Sequence, residues 1–253
     1  MSVIVSLTSH QKRLATLHLC LDSLFLQQYQ PDRVVLYLHE GEKIAENIKS
    51  FQDKGLEVKY FTDDYKPHNK YFHAMREYPD DIIITFDDDA IYPPYLLKLL
   101  VETHQQFPEA VITGRAHKIR MNQDGSLLPY QQWDWETSVT GTPSIQIMAT
   151  GVGGVLYPPY CMHPELFNAE NILRLCLYSD DIWLKCMQVL NNTPVIVVAH
   201  KPQHPKSIKE VAKEGLFLVN KLQNRNDFYL SSVTKQYNIN WKEMIENDEK
   251  YNT

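Results

Sequence analysis

The sequence predicts an α/β protein with a mainly parallel central sheet and helices on both faces. Two observations predict it. Short β-branched apolar runs alternate with helical stretches through the first third of the chain, and Ile82–Phe86 is apolar throughout, as a strand covered on both faces must be. Strand-helix-strand order of this kind joins parallel neighbours by crossovers. Ligands of such sheets gather outside the carboxyl ends of the strands, so the residues after Leu7, Leu38, Phe61 and Phe86 are the first places to seek chemistry.

Taken in order, Val3–Leu7 reads as a strand, Leu14–Gln27 as a helix, Val34–His39 as a strand, Ile44–Gln52 as a helix and Leu56–Phe61 as a strand. Tyr71–Glu77 is helical, Pro79 breaks it, and Ile82–Phe86 follows as a strand. A further helix is expected near Pro93 and Pro94, since proline suits a first helical turn. Val111–Thr113 and Ile145–Thr150 read as strands, separated by a polar stretch that carries Trp133 and Trp135. A glycine-rich turn comes next. The spacing of Ile182, Trp183, Cys186, Val189 and Leu190 predicts an amphipathic helix over Asp180–Leu190, and Pro194–Ala199 returns to strand. The tail is charged, with a helix expected from Lys206 to Arg225.

A chain of 253 residues, 43% hydrophobic, buries a full core and suits one large domain. Twenty-five Lys plus Arg against 31 Asp plus Glu leave a net charge of −6, the wrong sign for a nucleic-acid binder. Cys20, Cys161, Cys176 and Cys186 show no CxxC spacing, which argues against a zinc ribbon or a disulfide scaffold and for a reducing cytoplasm. The amino-terminal residues lack the pattern of a secretory signal, and no apolar run reaches the roughly 20 residues that cross a bilayer. A cytoplasmic protein, at most peripheral at the inner face of a membrane, is the expectation.

The strand Ile82–Phe86 stops abruptly in Asp87, Asp88 and Asp89. While the backbone stays extended, Asp87 and Asp89 share a face about 6.6 Å apart. Two charges at that distance repel by about 2.5 kcal/mol at an effective dielectric of about 20. A divalent cation relieves the repulsion, and oxygen-only ligands favour Mg²⁺ or Mn²⁺ over zinc. The other reading of the same residues is a solvated turn that caps the next helix.

The strand ending Thr85-Phe86-Asp87-Asp88-Asp89 resembles the DxD element of nucleotide-sugar glycosyltransferases with the GT-A fold. Val3-Ile-Val-Ser-Leu-Thr-Ser-His-Gln-Lys-Arg13 is similar to the first strand and loop of the bacterial family 2-like members. Further similarity lies at Pro67-His-Asn-Lys70-Tyr71, Gly151-Val-Gly-Gly-Val-Leu-Tyr-Pro-Pro159 and Ser179-Asp-Asp-Ile-Trp183, in the family's order over residues 1–200. The resemblance implies a single Rossmann-like GT-A domain over 1–205. Residues 1–100 would form the nucleotide-binding half and 101–205 the acceptor-binding half, with 206–253 a helical extension packed on the domain.

It also implies roles. Thr8, Ser9, Arg13, Lys70, Asp87 and Asp88 fall at the donor, with Asp63 and Asp64 near its base. Asp89, Asp87 and His200 fall at a Mn²⁺ or Mg²⁺ ion, with His204 competing for the histidine's place. Asp181 falls to the base that deprotonates the acceptor hydroxyl during inversion, with Asp180 beside it; the alternative for the pair is ordinary first-turn acids of a helix. Gly153, Gly154, Tyr157 and Trp183 fall at the acceptor, and Trp133 and Trp135 supply walls or core. Arg115 and Arg120 meet phosphates or an anionic acceptor, or are surface charges. Leu156 and Pro158-Pro159 break any dinucleotide fingerprint in the glycine run.

The expected activity is thus metal-dependent transfer of a sugar, UDP being the commonest carrier, to an oligosaccharide or lipid-linked glycan in bacterial surface polysaccharide or lipopolysaccharide assembly. A metal-dependent phosphohydrolase or nucleotidyltransferase and a non-catalytic sugar-nucleotide-binding module are the alternatives.

Overall fold

The structure, a computed structural model, describes residues 1–199, 204–210 and 225–251. Its first part follows the expected alternation: β1 (Val3–Thr8), α1 (Leu17–Phe25), β2 (Arg33–His39), α2 (Glu46–Gln52), β3 (Leu56–Phe61), α3 (Asn69–Glu77) and β4 (Ile82–Thr85). Then come β5 (Ala90–Ile91), α4 (Leu96–Gln106), β6 (Val111–Thr113), β7 (Ala116–Lys118), β8 (Ile147–Ala149) and β9 (Val155–Tyr157). The remainder comprises α5 (Ala169–Leu175), α6 (Asp180–Leu190), β10 (Val195–Val197), β11 (Lys206–Ser207), α7 (Arg225–Tyr237) and α8 (Trp241–Tyr251).

Seven strands form the central sheet in the order β10-β6-β9-β4-β1-β2-β3. All neighbours are parallel except β9, which runs antiparallel to both β4 and β6. Side-chain alternation sorts each strand between two layers. Val3, Val5, Leu7, Ile82 and Ile84 pack with Leu17, Leu21, Ile48, Leu97 and Leu100 of α1, α2 and α4. Ile4, Val35 and Ile83 face the other way, toward Ala74 of α3. On that second face Val155, Tyr157 and Val197 pack with Ile182, Trp183 and Cys186 of α6. This sheet, covered on both faces by helices, is the Rossmann-like GT-A architecture.

Three elements depart from the sequence reading. Ile147–Ala149 is a strand, but it pairs with β7 in a two-stranded ribbon outside the central sheet. The segment after the glycines, unassigned in the sequence, is β9, inserted between β4 and β6. Its three residues are too few to show a period. Lys206 does not begin a helix: Lys206 and Ser207 pair with Ile91 and Ala90, and the Ile208 amide donates to the Asp89 carbonyl at 2.9 Å. Most of the predicted helix lies outside the described residues, and α7 begins where it was expected to end.

Tyr229, Leu230 and Val233 of α7 and Trp241 and Ile245 of α8 are buried in the same cluster as α6. Polar ties hold them there: Asp227 accepts the Tyr130 amide at 2.7 Å, and Asp248 accepts the Ser144 hydroxyl and Ile145 amide at 2.7 and 2.8 Å. The four cysteines are buried free thiols. Among the described residues no helix is long and apolar enough to cross a membrane.

Gly154 leads into β9 with φ +72°, and a Cβ there would sit 2.6 Å from the Phe86 ring. Gly154→Ala therefore strains the backbone and crowds the strand end that carries the acids. A loss of about 1–3 kcal/mol in urea unfolding is the expected outcome.

Candidate active site

The carboxyl ends of β1 and β4 lie side by side, since Ser6 pairs with Thr85 and the Phe86 amide continues the ladder to the Ser6 carbonyl at 3.1 Å. The chain beyond β1 therefore meets the acids beyond β4. Asp88 turns inward and is buried; one oxygen accepts from the Ser9 hydroxyl at 2.6 Å and the other pairs with the Arg13 guanidinium. Arg13 also reaches Asp89 at 3.1 Å. These acids do not cap α4, whose N-cap Tyr95 makes no side-chain capping bond. Burial and the charge of Asp87 push the Asp89 carboxyl up to about 6, against the opposing pull of Arg13.

Asp87 takes a different partner. Lys70, in the first turn of α3, is buried and points its ammonium at Asp87 at 2.5 Å and at Asp180 at 2.6 Å. The second contact is an ion pair outside hydrogen-bond angles, so that Asp180 Oδ2 has charge compensation without a donor. Burial pulls the ammonium's affinity for its proton down, but Asp180, Asp87 and Asp181 outweigh it and raise Lys70 well above its ordinary value. Burial pushes Asp180 up, and Lys70 with His68 overrides this and holds it below the usual range.

Asp181 is left with the unfavourable part of the bargain. Burial first, and the neighbouring Asp180 charge second, push its carboxyl up to about 8, while Lys70 pulls the other way. It accepts one hydrogen bond, from the Gly151 amide at 2.9 Å. Gly151 has no room for a side chain: a Cβ would lie 2.8 Å from Lys70 Nζ, 3.1 Å from Asp87 and 3.3 Å from Asp181. Of the glycine run, it is Gly151 that touches the acids. Gly153 and Gly154 are instead packed against Arg115 and Phe86.

Trp183 is corrected. It has no exposed surface, and its indole N–H donates to the Leu166 carbonyl at 3.1 Å, so it is core rather than an acceptor wall. Trp133 is likewise buried and bonded to the Leu128 carbonyl. Tyr157 is 4% exposed in β9, on the side where Asp181 and Lys70 act on it. Thr8 donates to the Tyr37 carbonyl at 2.9 Å and ties β1 to β2. Asp64 is held by the Lys66 amide and Asn69 at 2.8 and 2.9 Å, as a turn-forming aspartate. Arg120 forms a surface pair with Asp134. His200 lies outside the described residues, and exposed His204 sits 3.2 Å from Glu136.

His68, missed in the sequence, is fully buried below Lys70. Its Nε2–H donates to the Cys176 carbonyl at 2.9 Å, its Nδ1 accepts from Tyr71 at 2.8 Å, and burial pulls it down to about 4. A neutral imidazole thus fixes the turn before α6 to the start of α3. Nothing in a single sequence distinguishes this histidine from a surface one.

Among the described residues no three His, Cys, Asp or Glu side chains are grouped closely enough to hold a metal by themselves. The donor set nonetheless suits an ion completed by substrate oxygens. Asp87 and Asp89 are partly exposed and carry oxygen ligands only. Magnesium-like ions commonly take one or two protein carboxylates plus phosphates.

A doubly covered parallel sheet with one inserted antiparallel strand, and acids gathered at the carboxyl end of its central strands, defines the GT-A glycosyltransferase class. The chain belongs to glycosyl transferase family 2, whose sequence model matches residues 2–158. Among solved structures it is similar to S. aureus TarS residues 1–349 in complex with UDP, with a TM-score of 0.53 and 15% identity over 94% of this chain and 72% of that one. A second S. aureus TarS structure matches at TM-score 0.51 and 14% identity over 88% of this chain and 39% of that one. No curated protein sequence matches the chain.

Lys70→Met should leave Asp87, Asp180 and Asp181 without their cation and cost about 3–5 kcal/mol. Protonation relieves the orphaned acids, so the loss in denaturant unfolding should be larger at pH 8 than at pH 5. An equal loss at both would mean that packing, not charge, is what Lys70 contributes.

Proposed function

We propose that the enzyme transfers a sugar, with inversion, from a nucleoside-diphosphate donor to a carbohydrate acceptor. The observation that carries this reading is that two acid pairs from distant parts of the chain, Asp87 and Asp89 after β4 and Asp180 and Asp181 at the start of α6, each place one member, Asp87 and Asp180, against the same buried lysine. One pair serves the leaving diphosphate and the other the attacking hydroxyl. UDP is the favoured nucleotide, supported by the UDP named in the TarS complex. An oligosaccharide or lipid-linked acceptor, and work at the inner face of a membrane in surface polysaccharide or lipopolysaccharide assembly, extend the resemblance in the sequence.

In this reading the acceptor oxygen attacks the anomeric carbon from the face opposite the diphosphate. Asp181 removes the hydroxyl proton as the new C–O bond forms, and the bond to the diphosphate breaks with its electron pair leaving on phosphate oxygen. The Gly151 amide holds Asp181 in place, and Lys70 keeps Asp180 ionised beside it. A raised carboxyl is an effective base near its own pKa, because proton affinity and ionised fraction are then balanced. Ser9 and Arg13 hold Asp88 and Asp89 so that the loop presents its remaining oxygens outward. Mn²⁺ or Mg²⁺ held by Asp87 and Asp89 would neutralise the departing diphosphate. The strand ends lack the further motifs of a phosphohydrolase, and the intact Asp180-Asp181 pair argues against a mere binding module.

Asp181 must be ionised to act, so kcat/KM for transfer should rise with pH toward a plateau above about 8. Asp181→Asn should lower transfer by about 10²–10⁴-fold and leave UDP binding intact; full transfer by this variant would remove Asp181 as the base. Titration calorimetry of UDP with and without Mn²⁺ tests the donor side: Asp89→Asn should erase the metal-dependent gain and little else.

A further inference from the structure

Glu136 stands outside the machinery described so far, yet the chain holds it with unusual care. Its backbone is left-handed, φ +52°, a region that a long unbranched side chain rarely occupies. Three contacts enforce that conformation. The Glu136 amide donates to His117 Nδ1 at 3.0 Å, the Thr137 amide donates to the Ala116 carbonyl at 3.0 Å, and Asp134 pairs with Lys118 beyond it. Trp135 stacks on the His117 ring at 4.8 Å and stiffens the same turn.

The carboxylate then enters a chain of polar contacts that leads to the proposed base. Arg115 Nη2 and Nε donate to Glu136 Oε1 at 3.0 and 3.3 Å. Arg115 Nη1 donates to the Thr150 hydroxyl at 2.9 Å, and Thr150 precedes Gly151, whose amide holds Asp181. Tyr130 feels both Asp181 and Arg115. On the other side Glu136 Oε2 lies 3.2 Å from His204, on the segment whose Ile208 amide is bonded to the Asp89 carbonyl. Glu136 thus bridges the β6–β9 side of the site and the strand that borders the acids.

Its chemistry limits what it can recognise. Glu136 repels a diphosphate, and Arg115 is already committed to Glu136 and Thr150, so this corner does not suit an anion. A fixed, 41% exposed carboxylate braced by a guanidinium suits neutral hydroxyl groups, which donate to it. We infer that Glu136, positioned by Arg115, is a binding residue for the hydroxyls of a neutral pyranose on the acceptor. The inference rests on the proposed transfer reaction and names part of its acceptor site.

The test uses the whole chain with UDP and Mn²⁺ present, and a panel of neutral methyl hexosides and N-acetylhexosaminides as probes in saturation-transfer NMR. At least one should bind the wild type, and Glu136→Gln should weaken it by about tenfold, the value of a hydrogen bond to a charged group. Glu136→Asn, which tolerates the left-handed backbone, should weaken it at least as much with an unchanged melting temperature. UDP affinity should not move in either variant. Glycoside binding equal in wild type and variants, or absent from a wild type that binds UDP, would overturn the inference and leave the donor reading standing. Binding of inorganic phosphate that Arg115→Met abolishes would also overturn it, in favour of an anionic acceptor. Failure of the wild type to bind UDP at all would count against the transfer reaction itself.

Discussion

One buried ammonium makes the site. Lys70 is 4% exposed and lies against Asp87 and Asp180, with Asp181 close enough to act on it. Without that charge the chain would have to bury several carboxylates together, which costs several kcal/mol per ion. With it, the acids settle unequally: Asp180 is held ionised and Asp181 is left with a raised carboxyl. Two neighbouring aspartates acquire different proton affinities because only one of them touches the cation. In the proposed transfer, such a split separates a group that tunes from a group that moves a proton.

The fold brings the partners to Lys70 by means of β9. This short antiparallel strand between β4 and β6 carries the glycine turn back to the carboxyl end of the sheet. Gly151 then fits against Lys70, Asp87 and Asp181 so closely that a Cβ would push the lysine ammonium from its place. His68 works from below, joining the start of α3 to the turn before α6. The acids can be crowded because the elements that bear them are tied together independently of their charges.

The residues first suspected separate into two groups by what they touch. Ser9 and Arg13 hold Asp88 and Asp89, Lys70 holds Asp87 and Asp180, and the Gly151 amide holds Asp181. Trp183, Gly153 and Gly154 do not join them: Trp183 is core, and the two glycines permit close packing of Arg115 and Phe86. A tryptophan in a helix-start motif and a glycine in a glycine run look the same in sequence whether they face a ligand or a neighbour. Which way they face depends on the element packed opposite.

What the sequence determined by itself was local and periodic. Alternation of apolar runs placed β1 to β4 with their crossover helices, because each period reports a face to be buried. The abrupt change from Phe86 to three acids, together with its place at a strand's carboxyl end, pointed to the candidate site. The tertiary structure decided what depends on pairing across the chain. It placed β9 in the middle of the sheet, turned Lys206 and Ser207 into a strand beside β5, and joined Lys70 to Asp180, 110 positions apart in sequence. Those outcomes follow from hydrogen-bond partners and charges supplied by distant segments, and no local pattern contains them.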